Sequence, residues 1–210
     1  MAQKKMINNL FHILDPMVII KALGLIGVLI IVFAESGLFF GFFFPGDSLL
    51  FTAGLLASQH LLNIEILAIG AFVCAVLGDS VGYWFGKKVG PKIFTKDDSI
   101  FFHKKHIERA QNFYNKYGNK TIFLARFVPI VRTFAPIVAG VAQMKYKNFL
   151  TYNILGGFVW AFGMVLGGYV LGEAIPNIDK YILPIILLII LLSLLPIVIE
   201  TYREKIKTKI

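Results

Sequence analysis

Apolar residues run through this chain in long blocks, and the polar residues and helix breakers that interrupt them mark out its elements. Residues 5–14 set Met6, Ile7, Leu10, Phe11, Ile13 and Leu14 at helical spacing against Lys4, Lys5, Asn8, Asn9 and His12. That stripe predicts an amphipathic helix over residues 1–15, lying in a membrane interface with His12 on its polar face. Met17–Phe33 is long enough to predict a first spanning helix. The apolar run then continues through residues 34–58, broken by Glu35 and by Pro45-Gly46-Asp47. Pro-Gly-Asp is turn chemistry. Limbs of about ten residues each, roughly 15 Å of helix, predict a hairpin over 36–57 with its tip near the bilayer midplane. Asp47-Ser48 is also a candidate cap for the second limb. The plainer alternative is a kinked spanning helix that tolerates its proline.

Residues 64–85 predict the next span, and Gly78, Gly82, Gly86 and Gly90 give it one smooth face for close helix approach. Asp79, inside this run, is either a polar anchor or part of a pathway. The glycines do not make a P-loop, which needs a different spacing and a Ser or Thr after the lysine. Residues 87–120 form a basic loop with nine Lys or Arg and three acids. Ile107, Ala110, Phe113, Tyr114 and Tyr117 predict an amphipathic helix within it, started by Asp97-Asp98-Ser99 and stopped by Gly118. Phe149–Gly172 and Tyr181–Ile199 predict two further spans, followed by a basic tail over 201–210.

Residues 121–144, TIFLARFVPIVRTFAPIVAGVAQM, stand apart. They are apolar enough to enter a bilayer, yet hold Arg126 and Arg132. Each arginine costs at least ~2.5–3.5 kcal/mol at the centre of a membrane helix. Pro129 and Pro136 remove helix hydrogen bonds that protein or water must replace. Two charges with breakers between and beyond them predict a second hairpin, shaped by Pro129, Pro136 and Gly140 as Pro45 and Gly46 shape the first. Such a hairpin needs a charged partner or a wet cavity.

Composition agrees: 57% of the 210 residues are hydrophobic and 16% charged, against about 25% charged in soluble domains. The formal charge of +9 sits beside the apolar blocks, the pattern of cytoplasmic membrane loops, so nucleic acid is not an expected partner. Cys74 is the single cysteine, which rules out an internal disulfide. His103 and His106, three apart, lack the carboxylate or thiol companions of a metal site. No cofactor and no cleavable signal are expected.

Basic N-terminal, 87–120 and C-terminal regions should all lie on the cytoplasmic face. Four clear spans allow this only if 36–57 and 121–144 both turn back without crossing. The expected fold is therefore an all-α membrane protein with about four spanning helices and two facing re-entrant hairpins. The hairpins enter from opposite faces, an inverted repeat of the kind that places transporter sites at the midplane. Glu35 and Asp47 then face Arg126 and Arg132. Arginine stays protonated and grips carboxylate or phosphate in a bidentate way, while a carboxylate deprived of its arginine tends to bind a proton. The cluster is suited to exchanging an anion for a proton, or it is a purely structural salt bridge.

The stretches ESGLFFGFFFPGDSLLFTAG, GDSVGYWFGKKVG and FLARFVPIVRTFAPIVAGVAQM, with Phe149, Asn153 and Trp160, resemble the DedA family, also called SNARE-associated or VTT-domain membrane proteins. The likeness covers residues 30–172. It implies a multi-pass protein of a prokaryotic cytoplasmic membrane, with roles in envelope maintenance and membrane-potential homeostasis. It also implies recycling of lipid carriers such as undecaprenyl phosphate. By motif position the family's essential acids fall on Glu35 and Asp47 and its arginines on Arg126 and Arg132. Lys87-Lys88 departs from the arginine common at that point.

The expected function is a proton-coupled flippase for an anionic lipid, with membrane lipids and protons as partners and a homo-oligomer as an open possibility. The rivals are a proton-coupled antiporter for small cations or drugs and a non-transporting structural module. An enzyme is not expected: His12, His60, His103 and His106 all lie outside the hairpins, and no Ser/His/Asp arrangement is evident.

Overall fold

The computed structural model describes residues 16–38, 46–93, 114 and 116–175, and every regular element among them is helical. α1 is Pro16–Gly37, α2 Gly46–Ser58, α3 Ile64–Ile93, α4 Lys120–Ala125, α5 Pro129–Val141 and α6 Tyr146–Ala174. The expected amphipathic helix over 1–15, Pro45, the histidines His12, His103 and His106, the span at 181–199 and the tail at 201–210 lie outside the described residues. Gly118 ends a short helical turn as expected: its φ is 73° and its N–H donates to the Tyr114 carbonyl at 2.8 Å.

α3 and α6 are long and apolar enough to cross a bilayer. They run antiparallel, with Trp84 against Tyr146 at one end and Phe72 against Phe158 and Phe162 further along. Ile66, Ile69, Val73, Leu77, Val81 and Trp84 line one exposed face of α3. A continuous apolar outer stripe of this kind is solvated by lipid rather than water.

The expected first span, Met17–Phe33, falls within α1, which kinks inside it. α1 leaves helical geometry at Gly24, with φ 61° and ψ −157°, a conformation that glycine adopts at little cost. Its apolar remainder, Gly24–Gly37, is about 20 Å long, short of the ~30 Å hydrocarbon core. Leu29 packs on Gly70 and Gly37 on Gly78, so α1 runs parallel to α3 and antiparallel to the returning α2. Glu35 lies in the last turn of α1, against Gly46 at the start of α2.

The second interrupted segment breaks where it should. Val128 is extended (φ −113°, ψ 109°), the geometry imposed on a residue before proline. Pro129 then opens α5 in the first-turn position that suits it. The turn between α4 and α5 is closed by tight bonds, Arg126 N–H to Phe123 O at 3.3 Å and Val128 N–H to Ala125 O at 3.1 Å. Pro136, expected as a second breaker, lies inside a continuous α5 and faces Gly82 of α3.

Two helix crossings repeat the same contact. Gly54 of α2 lies against the Val165 carbonyl of α6, and Gly168 against the Phe51 carbonyl. Gly140 of α5 lies against the Tyr83 carbonyl of α3, and Gly86 against the Ile137 carbonyl. In both, each glycine meets the carbonyl three residues before its opposite glycine. A β-carbon at any of the four would collide with backbone. Each short helix therefore packs on the long helix of the other half: α2 on α6, α5 on α3. This close approach is what small residues permit between apolar helices.

Candidate functional site

Each of the six described helices sends a polar side chain to one cluster. Glu35 comes from the last turn of α1 and Asp47 from the first turn of α2. Asp79 comes from the middle of α3, Arg126 from the end of α4, Arg132 from α5, and Asn153 and Trp160 from α6. Arg132 donates through Nη2 to Glu35 Oε1 and through Nη1 to Asp47 Oδ1, the latter at 2.5 Å. Asp47 Oδ1 also accepts from the Trp160 indole N–H at 2.7 Å. Arg126 donates to Asp79 and, at 2.7 Å, to the Asn153 side-chain oxygen. The Asn153 amide is oriented in turn by its own N–H donation to the Val76 carbonyl at 3.0 Å.

Trp160 links the two halves of this network. Its ring centroid is 5.1 Å from the Arg132 guanidinium carbon and 6.0 Å from that of Arg126. The electron-rich ring face favours both cations. Ser36, Asp79, Arg126, Arg132 and Trp160 line a small pocket of about 10 Å³, at the lower limit for one ordered water. Glu35 Oε2 and Arg126 Nη1 are buried and have no hydrogen-bond partner among the described residues.

Both acids expected from the first hairpin converge on one arginine of the second, and Arg126 takes Asp79. Asp79 is thus brought into the cluster rather than left as a distant anchor. Gly46 and Gly140 both sit at close approaches, Gly46 against Glu35 and Gly140 against Tyr83. Asp47 lies within the first turn of α2 and turns to Arg132 and Trp160, so the suggested capping role is not the one its side chain takes. His60 lies in the turn after α2, apart from the cluster. The site residues missed by sequence reasoning are Asn153 and Trp160: a single amide or indole in an apolar helix also reads as packing or an interfacial anchor.

Electrostatically the cluster is dense. Among the described residues three carboxylates face two guanidiniums, leaving one negative charge if all five are ionised. Burying ions costs several kcal/mol each even after relaxation. The pairings offset that cost, and the odd carboxylate leaves room for one proton.

Two short helices crossed over two long apolar ones, with buried arginines opposed to carboxylates, make this a helical membrane domain. The VTT domain family profile matches residues 44–170. The chain is 45% identical to an uncharacterized membrane protein of Mycobacterium tuberculosis, over 91% of this chain and 87% of that one. It is 43% identical to the protein DedA of Escherichia coli, over 84% of this chain and 81% of that protein. This chain belongs to the DedA family of VTT-domain membrane proteins. No solved structure matches it.

Proposed function

We propose that this protein is a proton-coupled flippase for an anionic lipid, such as undecaprenyl phosphate or a phospholipid, in the cytoplasmic membrane of a prokaryote. α1–α2 and α4–α5 act as re-entrant hairpins entering from opposite faces, with residues 87–120 on the cytoplasmic side. The observation that carries this reading is the placement of Arg132 between two carboxylates at the point where the half-helices meet. A phosphate head group moves past Arg132 and Arg126 while its tail stays in lipid. Protonation of Glu35 or Asp47 frees Arg132 for the phosphate, and deprotonation returns it. The charge imbalance in the cluster supports one proton per exchange.

The test is reconstitution in liposomes with a labelled lipid phosphate under an imposed pH gradient. Gradient-dependent movement that Arg132→Ala and Asp47→Asn abolish is the expected result. Movement by these variants equal to the parent would refute the mechanism. The surplus carboxylate also favours a second reading, a proton-coupled antiporter for small cations. In that case cation flux appears in the same liposomes without lipid movement.

A further inference from the structure

We propose that Arg132 Nη1 and Trp160 Nε1 form the donor pair for one phosphate oxygen, and that Asp47 is a built-in competitor occupying that place. The inference rests on the lipid-phosphate reading above and specifies how its site recognises the ligand.

Two donors from different helices converge on a single oxygen, Asp47 Oδ1, at 2.5 and 2.7 Å. Charge-assisted donors aimed at one point recognise an anionic oxygen, whether carboxylate or phosphate. Neither donor depends on Asp47 for its position. Arg132 is held from the far side by Glu35 through Nη2, and its guanidinium carbon lies over the Trp160 ring, 5.1 Å from the centroid. Trp160 is itself buried in the packing of α6 against α2. Withdrawing Asp47 therefore leaves a preformed pair of N–H groups.

Asp47 is also the acid placed to withdraw. Its side chain is 25% exposed against 3% for Glu35, and it stands in the first turn of the short α2. A ligand approaching the cluster meets Asp47 first. The negative charge left over in the cluster opposes an incoming phosphate until one carboxylate is neutralised. Asp47 thus excludes the ligand twice, by occupying its donors and by repelling it. Once Asp47 is protonated and swings out, the phosphate oxygen replaces Oδ1 and the donor count at Arg132 and Trp160 is unchanged.

The experiment is calorimetric titration of the full-length protein in detergent with hexyl phosphate, and separately with inorganic phosphate. Asp47→Asn removes the competing charge and should bind hexyl phosphate about tenfold or more tighter than the parent at neutral pH. Adding Trp160→Phe, which keeps an aromatic ring and deletes the N–H, should give back about tenfold of that gain. Trp84→Phe leaves Trp160 as the sole tryptophan, and its emission should change on saturation with hexyl phosphate. The proposal is overturned if Asp47→Asn binds no tighter than the parent or binds nothing. It is equally overturned if the added Trp160→Phe leaves affinity intact, or if the emission of Trp160 does not respond. Tighter binding of hexyl than of inorganic phosphate assigns the site to lipid head groups; equal affinity assigns it to free phosphate, with the same donors. Transport is a separate readout. Failure of lipid movement with this binding pattern intact overturns the flippase reading alone. Lipid movement with binding unchanged by Trp160→Phe overturns this inference alone.

Discussion

Gly46 faces Glu35 so closely that a β-carbon on residue 46 would fall on Glu35 Oε2. The start of α2 and the end of α1 are thus fitted to each other through a glycine, and the carboxylate held there is the one that orients Arg132 from behind. The obstacle is the end of a side chain rather than backbone, so Gly46→Ala should fold. Glu35 must swing away, however, and a charge-assisted hydrogen bond is worth ~1.5–3 kcal/mol. Lipid transport in liposomes should fall about tenfold or more, and the loss of this buried pairing should lower the unfolding temperature as well.

Gly157 plays the matching part for Arg126. A β-carbon there would stand 2.8 Å from Arg126 Nη1 and 3.0 Å from the Val76 side chain. Gly157→Ala should displace the guanidinium from Asp79 and reduce transport. Gly163 on the same helix has nothing within 4 Å. Gly163→Ala should leave transport unchanged and raise stability by up to ~1 kcal/mol through helix propensity. Comparing the two variants in liposomes and by thermal unfolding checks both statements.

The helix crossings answer to a different measurement. At Gly54, Gly168, Gly86 and Gly140 the neighbour is backbone carbonyl, which cannot rotate out of the way. Replacing any of them by alanine should separate the helices and cost about 1–3 kcal/mol, the usual range for overpacking. The expected result is a lowered unfolding temperature in detergent for each of the four, of similar size at the two crossings.

Asp79 and Arg126 make a buried pair, and such pairs are asymmetric in energy. Removing one partner leaves an uncompensated charge and costs ~3–5 kcal/mol, whereas replacing both by apolar residues of similar size is often neutral. Asp79→Leu should therefore be strongly destabilised, and Asp79→Leu combined with Arg126→Met should recover most of the loss. If Arg126 also handles a head group, the recovered double variant remains unable to move lipid. A double variant that transports normally would make this pair a purely structural brace.

How much of this was legible in sequence depends on the kind of contact. Glu35, Asp47, Arg126 and Arg132 stood out because an ionised group in an apolar run is expensive wherever the run folds. Their pairing was not legible. Asp79 reaches Arg126, and both acids of the first hairpin reach Arg132, only because α5 crosses α3 while α2 crosses α6. That exchange is a matter of tertiary packing between residues tens of positions apart. The break before Pro129 was readable from proline's backbone rules. The break at Gly24 was not, since hydropathy records side chains and is blind to one backbone torsion inside a uniformly greasy stretch. Trp160 and Asn153 were visible only as part of a family likeness, with nothing local to separate a donor from a packing residue.

The reciprocal glycine crossings carry a consequence for ancestry and for fragments of the chain. Neither half, cut within residues 94–113, retains the long helix on which its own short helix rests. Among the described residues, the carbonyls and glycines at each crossing are covered by the other half, which runs in the opposite sense. The molecule is in that sense an antiparallel dimer written as one polypeptide. Its two halves should regain activity when expressed as separate chains together, and should be degraded when expressed apart.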